Sequence, residues 1–215
     1  MIISAGRQYI FVHVPKTGGT SFARALEARA MADDILIGDT PKALRRKARL
    51  KSLNPRGRLW KHATLADIDG ILTPGQIAGM FCVTLVRNPW DRAVSYYHWL
   101  QRQGFDHPAV GLAQSLGFAD FLRHPQTVAS LSGWPVARYM TDVTGVDRTS
   151  AVLRLEHLEE DIAGFAAHLG FRPEMPHVNR SNRRREYRGY YDAALADHLG
   201  RVCSVDVARF GYRFE

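Results

Sequence analysis

The 215-residue sequence predicts an α/β fold: a mainly parallel sheet of about four or five strands with helices on both faces. Three observations point there. Short apolar, β-branched runs at 9–14, 58–61, 80–86 and 151–155 are separated by segments of helical periodicity. The first of these runs breaks abruptly into a turn and a helix, and the third repeats that pattern with different residues.

Tyr9 to Ser21 reads YIFVHVPKTGGTS. Tyr9, Ile10, Phe11, Val12 and Val14 form an apolar run without polar alternation, as expected of a strand buried on both faces. Pro15 then fixes a dihedral, Gly18 and Gly19 allow left-handed conformations, and Thr20 and Ser21 favour a helix start. A helix beginning there turns its first amides and its positive dipole end toward the turn, which favours a bound anion, and Lys16 adds a full charge. This is not a Walker A loop, because Lys16 precedes the glycine pair. A tight turn with a solvated lysine explains the segment equally well.

From Ser21 to about Met31 the spacing of Phe22, Ala25 and Leu26 predicts an amphipathic helix. A short strand is expected at Ile35–Ile37, then a basic helical run from Pro41 to near Asn54. RLWKH (Arg58–His62) reads as another short strand ending in a histidine, followed by a helix start at LADI. Ile77–Val86 is the clearest strand after the first. Arg87, Asn88 and Pro89 make its turn, and a helix to about Gln103 presents Trp90, Val94, Tyr97 and Leu100 on one face, with Asp91 and Ser95 sharing another. An arginine at a strand end and a hydroxyl in the next helix can hold one phosphate from two sides.

Gly104–Gly117 reads as loop, Phe118–Leu122 and Trp134–Met140 as short helices, and Ala151–Leu155 as the last strand. A helix over Leu158–Leu169 capped by Gly170, an irregular basic stretch to Tyr191 and an amphipathic helix over Tyr191–Phe210 close the chain. In such sheets ligands sit beyond the carboxyl ends of the strands, and Lys16, His62 and Arg87 all follow one. By itself His62 reads as a strand-end histidine bonded to backbone.

A chain 46% hydrophobic and 23% charged suits one packed domain over 1–215. The longest apolar run is too short to span a bilayer and no secretory leader is visible, so a soluble, cytoplasmic protein is expected. Cys82 and Cys203 read as buried thiols, and the nine histidines show no paired ligand spacing that calls for a metal. Nine Lys or Arg and no acid lie between Lys42 and Lys61, and five Arg with one Glu between Arg180 and Arg188. These windows exceed the net charge of +8, so the basicity is local. It suits phosphates, anionic sugars, an anionic membrane surface contacted peripherally, or nucleic acid; a solvated face with no partner is the alternative.

Two stretches carry a resemblance: FVHVPKTGGTS (Phe11–Ser21) and VTLVRNPWDRAVSYYH (Val83–His98). They resemble the nucleotide-binding segments of the sulfotransferase superfamily, in particular its carbohydrate (heparan- and chondroitin-type) branch and bacterial relatives. KHAT (Lys61–Thr64), LRLEHLEED (Leu153–Asp161), HVNRSNRR (His177–Arg184) and FGYRF (Phe210–Phe214) extend it along the chain. The resemblance implies a P-loop NTPase-like three-layer fold and the donor 3′-phosphoadenosine 5′-phosphosulfate (PAPS), leaving adenosine 3′,5′-bisphosphate (PAP), with no metal. It implies that Lys16, Thr17, Gly18, Gly19, Thr20 and Ser21 hold the 5′-phosphosulfate, that Arg87 and Ser95 hold the 3′-phosphate, and that His62 is the catalytic base. Arg183 would close over the nucleotide or meet an anionic acceptor. The acceptor would be a hydroxyl, of a saccharide or glycolipid. A nucleotide kinase or NTPase would need the missing Walker A lysine, and a non-catalytic polyanion binder, nucleic acid included, leaves both phosphate turns unexplained.

Overall fold

The structure, a computed structural model, describes residues 1–175 and 186–214. Strands β1 (Ile2–Ser4) and β2 (Tyr9–Val12) form a hairpin, followed by α1 (Gly19–Ala28), β3 (Ile35–Leu36) and α2 (Pro41–Arg46), which tightens into a 3₁₀ run over Lys47–Ser52. Then come α3 (Pro74–Ala78), β4 (Phe81–Val86), α4 (Pro89–Leu100), α5 (Pro108–Ser115), α6 (Phe118–Arg123), α7 (Pro125–Gly133) and α8 (Val136–Met140). Strand β5 (Ala151–Arg154), α9 (Leu158–Asp161), α10 (Ala163–Leu169), α11 (Ala193–Val202) and α12 (Ser204–Phe210) complete the described strands and α-helices.

The five strands form one sheet in the order β3-β1-β2-β4-β5. β2 pairs in parallel with β4 (Val12 opposite Thr84), and β4 with β5 (Val86 opposite Arg154). β1 is antiparallel to both its neighbours, so four strands run one way and β1 alone runs back. The expected α/β fold is therefore present, a mainly parallel sheet flanked by helices. Two details of the sheet differ from expectation. β1 was not anticipated, because Ile2, Ile3 and Ser4 before a turn carry no period of their own. RLWKH is not a strand: the flanking amides of Arg56 and Gly57 bond to the carbonyls of Asp69 and Asp67, and Ala63 turns back onto Trp60, so the chain on either side is held outside the sheet.

The chain divides into two compact units. The first, Met1–Val86 with Val136–Asn179, holds the sheet. Tyr9, Phe11, Val83, Leu85 and Leu153 pack against Phe22 and Leu26 of α1 and Phe165 and Leu169 of α10. Phe11 meets Phe22 edge-on at 5.1 Å, and Tyr9 meets Phe165 at 5.4 Å. The alternate residues Ile10, Val12 and Cys82 are also fully buried, which explains why these strands lack polar alternation. The second unit, Arg87–Pro135 with Arg180–Glu215, is helical; its core sets Trp90, Tyr97 and Leu100 of α4 against Phe121 of α6 and Leu195 and Leu199 of α11.

Five helices start by one device, a capping side chain followed by proline: Thr40, Thr73, Asn88, His107 and His124 each accept a backbone amide of the helix that follows. The His107 and His124 caps produce α5 and α7 where loop was expected. The single helices expected over Leu158–Leu169 and Tyr191–Phe210 each break once, at Ile162 and Cys203. The irregular basic stretch falls largely outside the described residues, and Arg183 with it.

Candidate functional site

In the first unit the chain leaves β2 at Val12 and turns through Val14–Gly18 into α1. Lys16 (φ 65°) and Gly18 (φ 85°) are both left-handed, on either side of Thr17. Turns of this kind aim successive amides into a shared concavity suited to an anion. Outside glycine the conformation costs about 1–2 kcal/mol, so Lys16 is held there by its surroundings. The Thr17 hydroxyl donates to the Val14 carbonyl at 2.9 Å and braces the turn from inside. Gly18 is the N-cap of α1, and no side chain caps that end. Ser21 and Phe22 donate to the Gly18 carbonyl, so the helix consumes their amides.

Gly18 is favoured by its left-handed backbone and Gly19 is required sterically. A Cβ on Gly18 would come 2.9 Å from a methyl of Leu155, just past β5. On Gly19 it would come 2.1 Å from Cδ2 and 2.4 Å from Nε2 of His13. His13, passed over in the sequence reading, thus lies directly against the start of α1. Its ring is 6% exposed and stacked 5.9 Å from Phe11. Burial first, then neighbouring positive charges and His62, holds its pKa well below the ordinary imidazole value, so it is neutral.

His13 also organises His62. The two rings meet edge-on at 4.7 Å, and Nδ1 of His62 lies 2.7 Å from the His13 carbonyl oxygen. A carbonyl only accepts, so Nδ1 carries the proton and Nε2 keeps its lone pair. Burial lowers the His62 pKa to about 4, outweighing the opposing hydrogen bond. The bond to backbone that made His62 look merely structural is what sets its tautomer. Trp60 stands perpendicular to it, ring centres 5.0 Å apart. His62 is thus held against His13, three residues before Lys16, although His62 follows no strand.

In the second unit Arg87, bonded directly to the last residue of β4, lies across the first turn of α4. Its Nε donates to Asp91 at 2.8 Å, and the ion pair closes at 2.5 Å with the guanidinium 13% exposed. Asn88 caps α4 through the amides of Trp90 and Asp91, while its own amide donates to the Tyr187 hydroxyl and the Arg213 carbonyl. Trp90 Nε1 donates to the Ala196 carbonyl at 2.8 Å, and Ser95 is half-buried one turn beyond Asp91. The four-residue spacing of Arg87 and Asp91 was legible as a helical ion pair, but the sequence reading grouped Asp91 with Ser95 instead.

With this geometry in hand, comparison with solved structures finds a crystal structure of mouse sulfotransferase SULT7A1 complexed with PAP, at TM-score 0.51 and 16% identity, over 95% of this chain and 85% of that one. The chain shares the sulfotransferase fold. No family model and no curated protein matches the sequence. Among the described residues no group of three or more His, Cys, Asp or Glu could hold a metal, and no helix is long and apolar enough to cross a membrane.

Proposed function

We propose that this chain is a PAPS-dependent sulfotransferase acting on a hydroxyl acceptor, a saccharide or glycolipid. The observation that carries the reading is the turn after β2: left-handed Lys16 and Gly18 lead into a ten-residue helix whose amino end no side chain caps. An anionic group fits there, with Lys16 and the amides of 17–20 as its donors. The likeness in fold to a PAP-bound sulfotransferase favours a phosphosulfate over other anions. Arg87, oriented by Asp91, and Ser95 are assigned to the 3′-phosphate, a charge-assisted contact of the kind arginine favours. Arg183 is assigned to the nucleotide or an anionic acceptor.

The donor supplies an activated sulfuryl group; the protein supplies position and charge. Lys16 neutralises the negative charge that builds on the oxygen released by the donor. His62 Nε2, unprotonated at neutral pH, accepts the acceptor hydroxyl's proton as the new S–O bond forms, a step typically worth about 10²- to 10⁴-fold. The test is thermal stability with nucleotide: PAP should raise the melting temperature far more than AMP, and Arg87→Ala should abolish the difference. Equal shifts by the two nucleotides would remove the 3′-phosphate site, and with it the reading.

A further inference from the structure

Apart from Trp60 and Lys61, which lie beside His62, the acid-free basic window from Lys42 to Lys61 has no part in the chemistry above, and its cations fall into two groups. Five face protein oxygens. Lys42 donates to the Glu27 carbonyl, Arg46 to the carbonyls of Met31 and Asp34, and Arg49 to that of Ala32. Arg56 pairs with Asp69 at 3.5 Å and Lys61 with Asp39 at 2.6 Å. These contacts tie the segment to the rest of the first unit, three of the cations through backbone carbonyls and two through the carboxylates of Asp69 and Asp39.

The others point away. Arg45, Lys47 and Lys51 are exposed, and their side chains make no hydrogen bond or ion pair among the described residues. Arg58, also exposed, lies over the Trp60 ring at 5.6 Å. Apolar side chains stand among them: Leu44 is 52% exposed and Trp60 43%. Leu44 lies in α2, and Lys47 and Lys51 lie on the 3₁₀ run that continues it. The Lys61–Asp39 pair ties Trp60's segment to the residue before the α2 cap. Met31, 37% exposed, is joined to α2 by the Arg46 bond. Of the large apolar side chains exposed on the described part of the first unit, Val146 alone lies elsewhere.

This pairing decides between partners. A nucleic acid or sulfated polysaccharide would use the cations, and bases or sugar rings could stack on Trp60, but an aliphatic side chain more than half exposed such as Leu44 gains nothing from either. An anionic bilayer uses both: basic groups at the headgroups, and Leu and Trp in the interfacial layer. We propose that the surface carrying Leu44, Arg45, Lys47, Lys51, Arg58 and Trp60 docks the protein on an anionic lipid bilayer. This stands independently of the transferase reading.

The test is co-sedimentation of the full chain with phosphatidylcholine vesicles, with and without about one-third phosphatidylserine. Binding should require phosphatidylserine and weaken with salt. The triple variant Arg45→Gln/Lys47→Gln/Lys51→Gln should bind about 100-fold more weakly, since each cation at an anionic leaflet is worth about fivefold. Leu44→Ser should cost a further fivefold to tenfold on vesicles while leaving heparin binding unchanged. All four positions are exposed, so melting temperatures should match the parent and exclude misfolding as the cause. Equal binding to neutral vesicles, or a triple variant that binds like the parent, would overturn the proposal. So would a Leu44→Ser variant with unaltered vesicle binding, which would make the surface a polyanion site.

Discussion

Replacing Gly19 by alanine should destabilise this protein through one identifiable contact. The new Cβ would sit 2.1, 2.4 and 2.9 Å from three atoms of the His13 ring, where carbon contacts normally lie at about 3.5–4.0 Å. The ring would have to move by more than an ångström, yet it is buried between Phe11 and His62 and cannot do so without disturbing both. Overpacking of this kind costs about 1–3 kcal/mol, partly offset by alanine's better helix propensity, at most about 1 kcal/mol. At roughly 2–4 °C per kcal/mol for a chain of this size, the melting temperature should fall by several degrees. His13→Ala removes the obstacle. Gly19→Ala introduced into that background should then be neutral or slightly stabilising, giving a coupling of about 1–3 kcal/mol in urea unfolding. If Gly19→Ala is harmless alone, or equally harmful without the His13 side chain, the packing account of this turn is wrong.

The pH dependence of turnover offers a second check. With the His62 pKa lowered to about 4, the base stays unprotonated well below neutrality, so kcat/KM should remain flat from pH 7 to 5 and its acid limb should fall near 4; a limb near 6.5 would exclude His62 in this environment as the base. The same shift has the opposite effect on folding: below pH 6.5 the unfolded chain takes up a proton that the folded one refuses, so His62 makes stability fall as pH drops from 6.5 toward 4, and His62→Ala should reduce that slope in unfolding measured against pH. Thr40→Val tests a buried joint. The Thr40 hydroxyl caps α2 at the Ala43 amide and donates to the Glu27 carboxylate at 2.7 and 2.8 Å, so its loss should cost about 2–3 kcal/mol. Because burial already raises the Glu27 pKa, that deficit should narrow as acid protonates the carboxyl; a deficit independent of pH would assign the cost to the cap alone.

Much of this protein is legible in its sequence, for local reasons. Strands buried on both faces are apolar almost throughout, so β2 and β4 announce themselves without alternation, and β5 by its run of Ala151, Val152 and Leu153. Proline and glycine constrain or free the backbone wherever they occur, so the turn from Pro15 to Gly19 and the start of α4 at Asn88–Pro89 could be placed from residue type alone. The capping histidines before Pro108 and Pro125 were equally local signals, missed because histidine is an uncommon cap.

The rest depends on contacts between residues far apart in the chain. β1 is a strand because β2 and β3 lie on either side of three residues that would not form one alone. RLWKH has strand composition but pairs with no strand, and the amides on either side of it, of Arg56, Gly57 and Ala63, bond to loop carbonyls. His13 and His62 stand 49 residues apart, and no spacing rule links them. Only folding brings the carbonyl of one to the ring of the other, selects the tautomer, and buries both rings so that neither is charged at neutral pH. A sequence specifies which groups can bear a proton; the dielectric and hydrogen bonds of the folded chain decide whether they do.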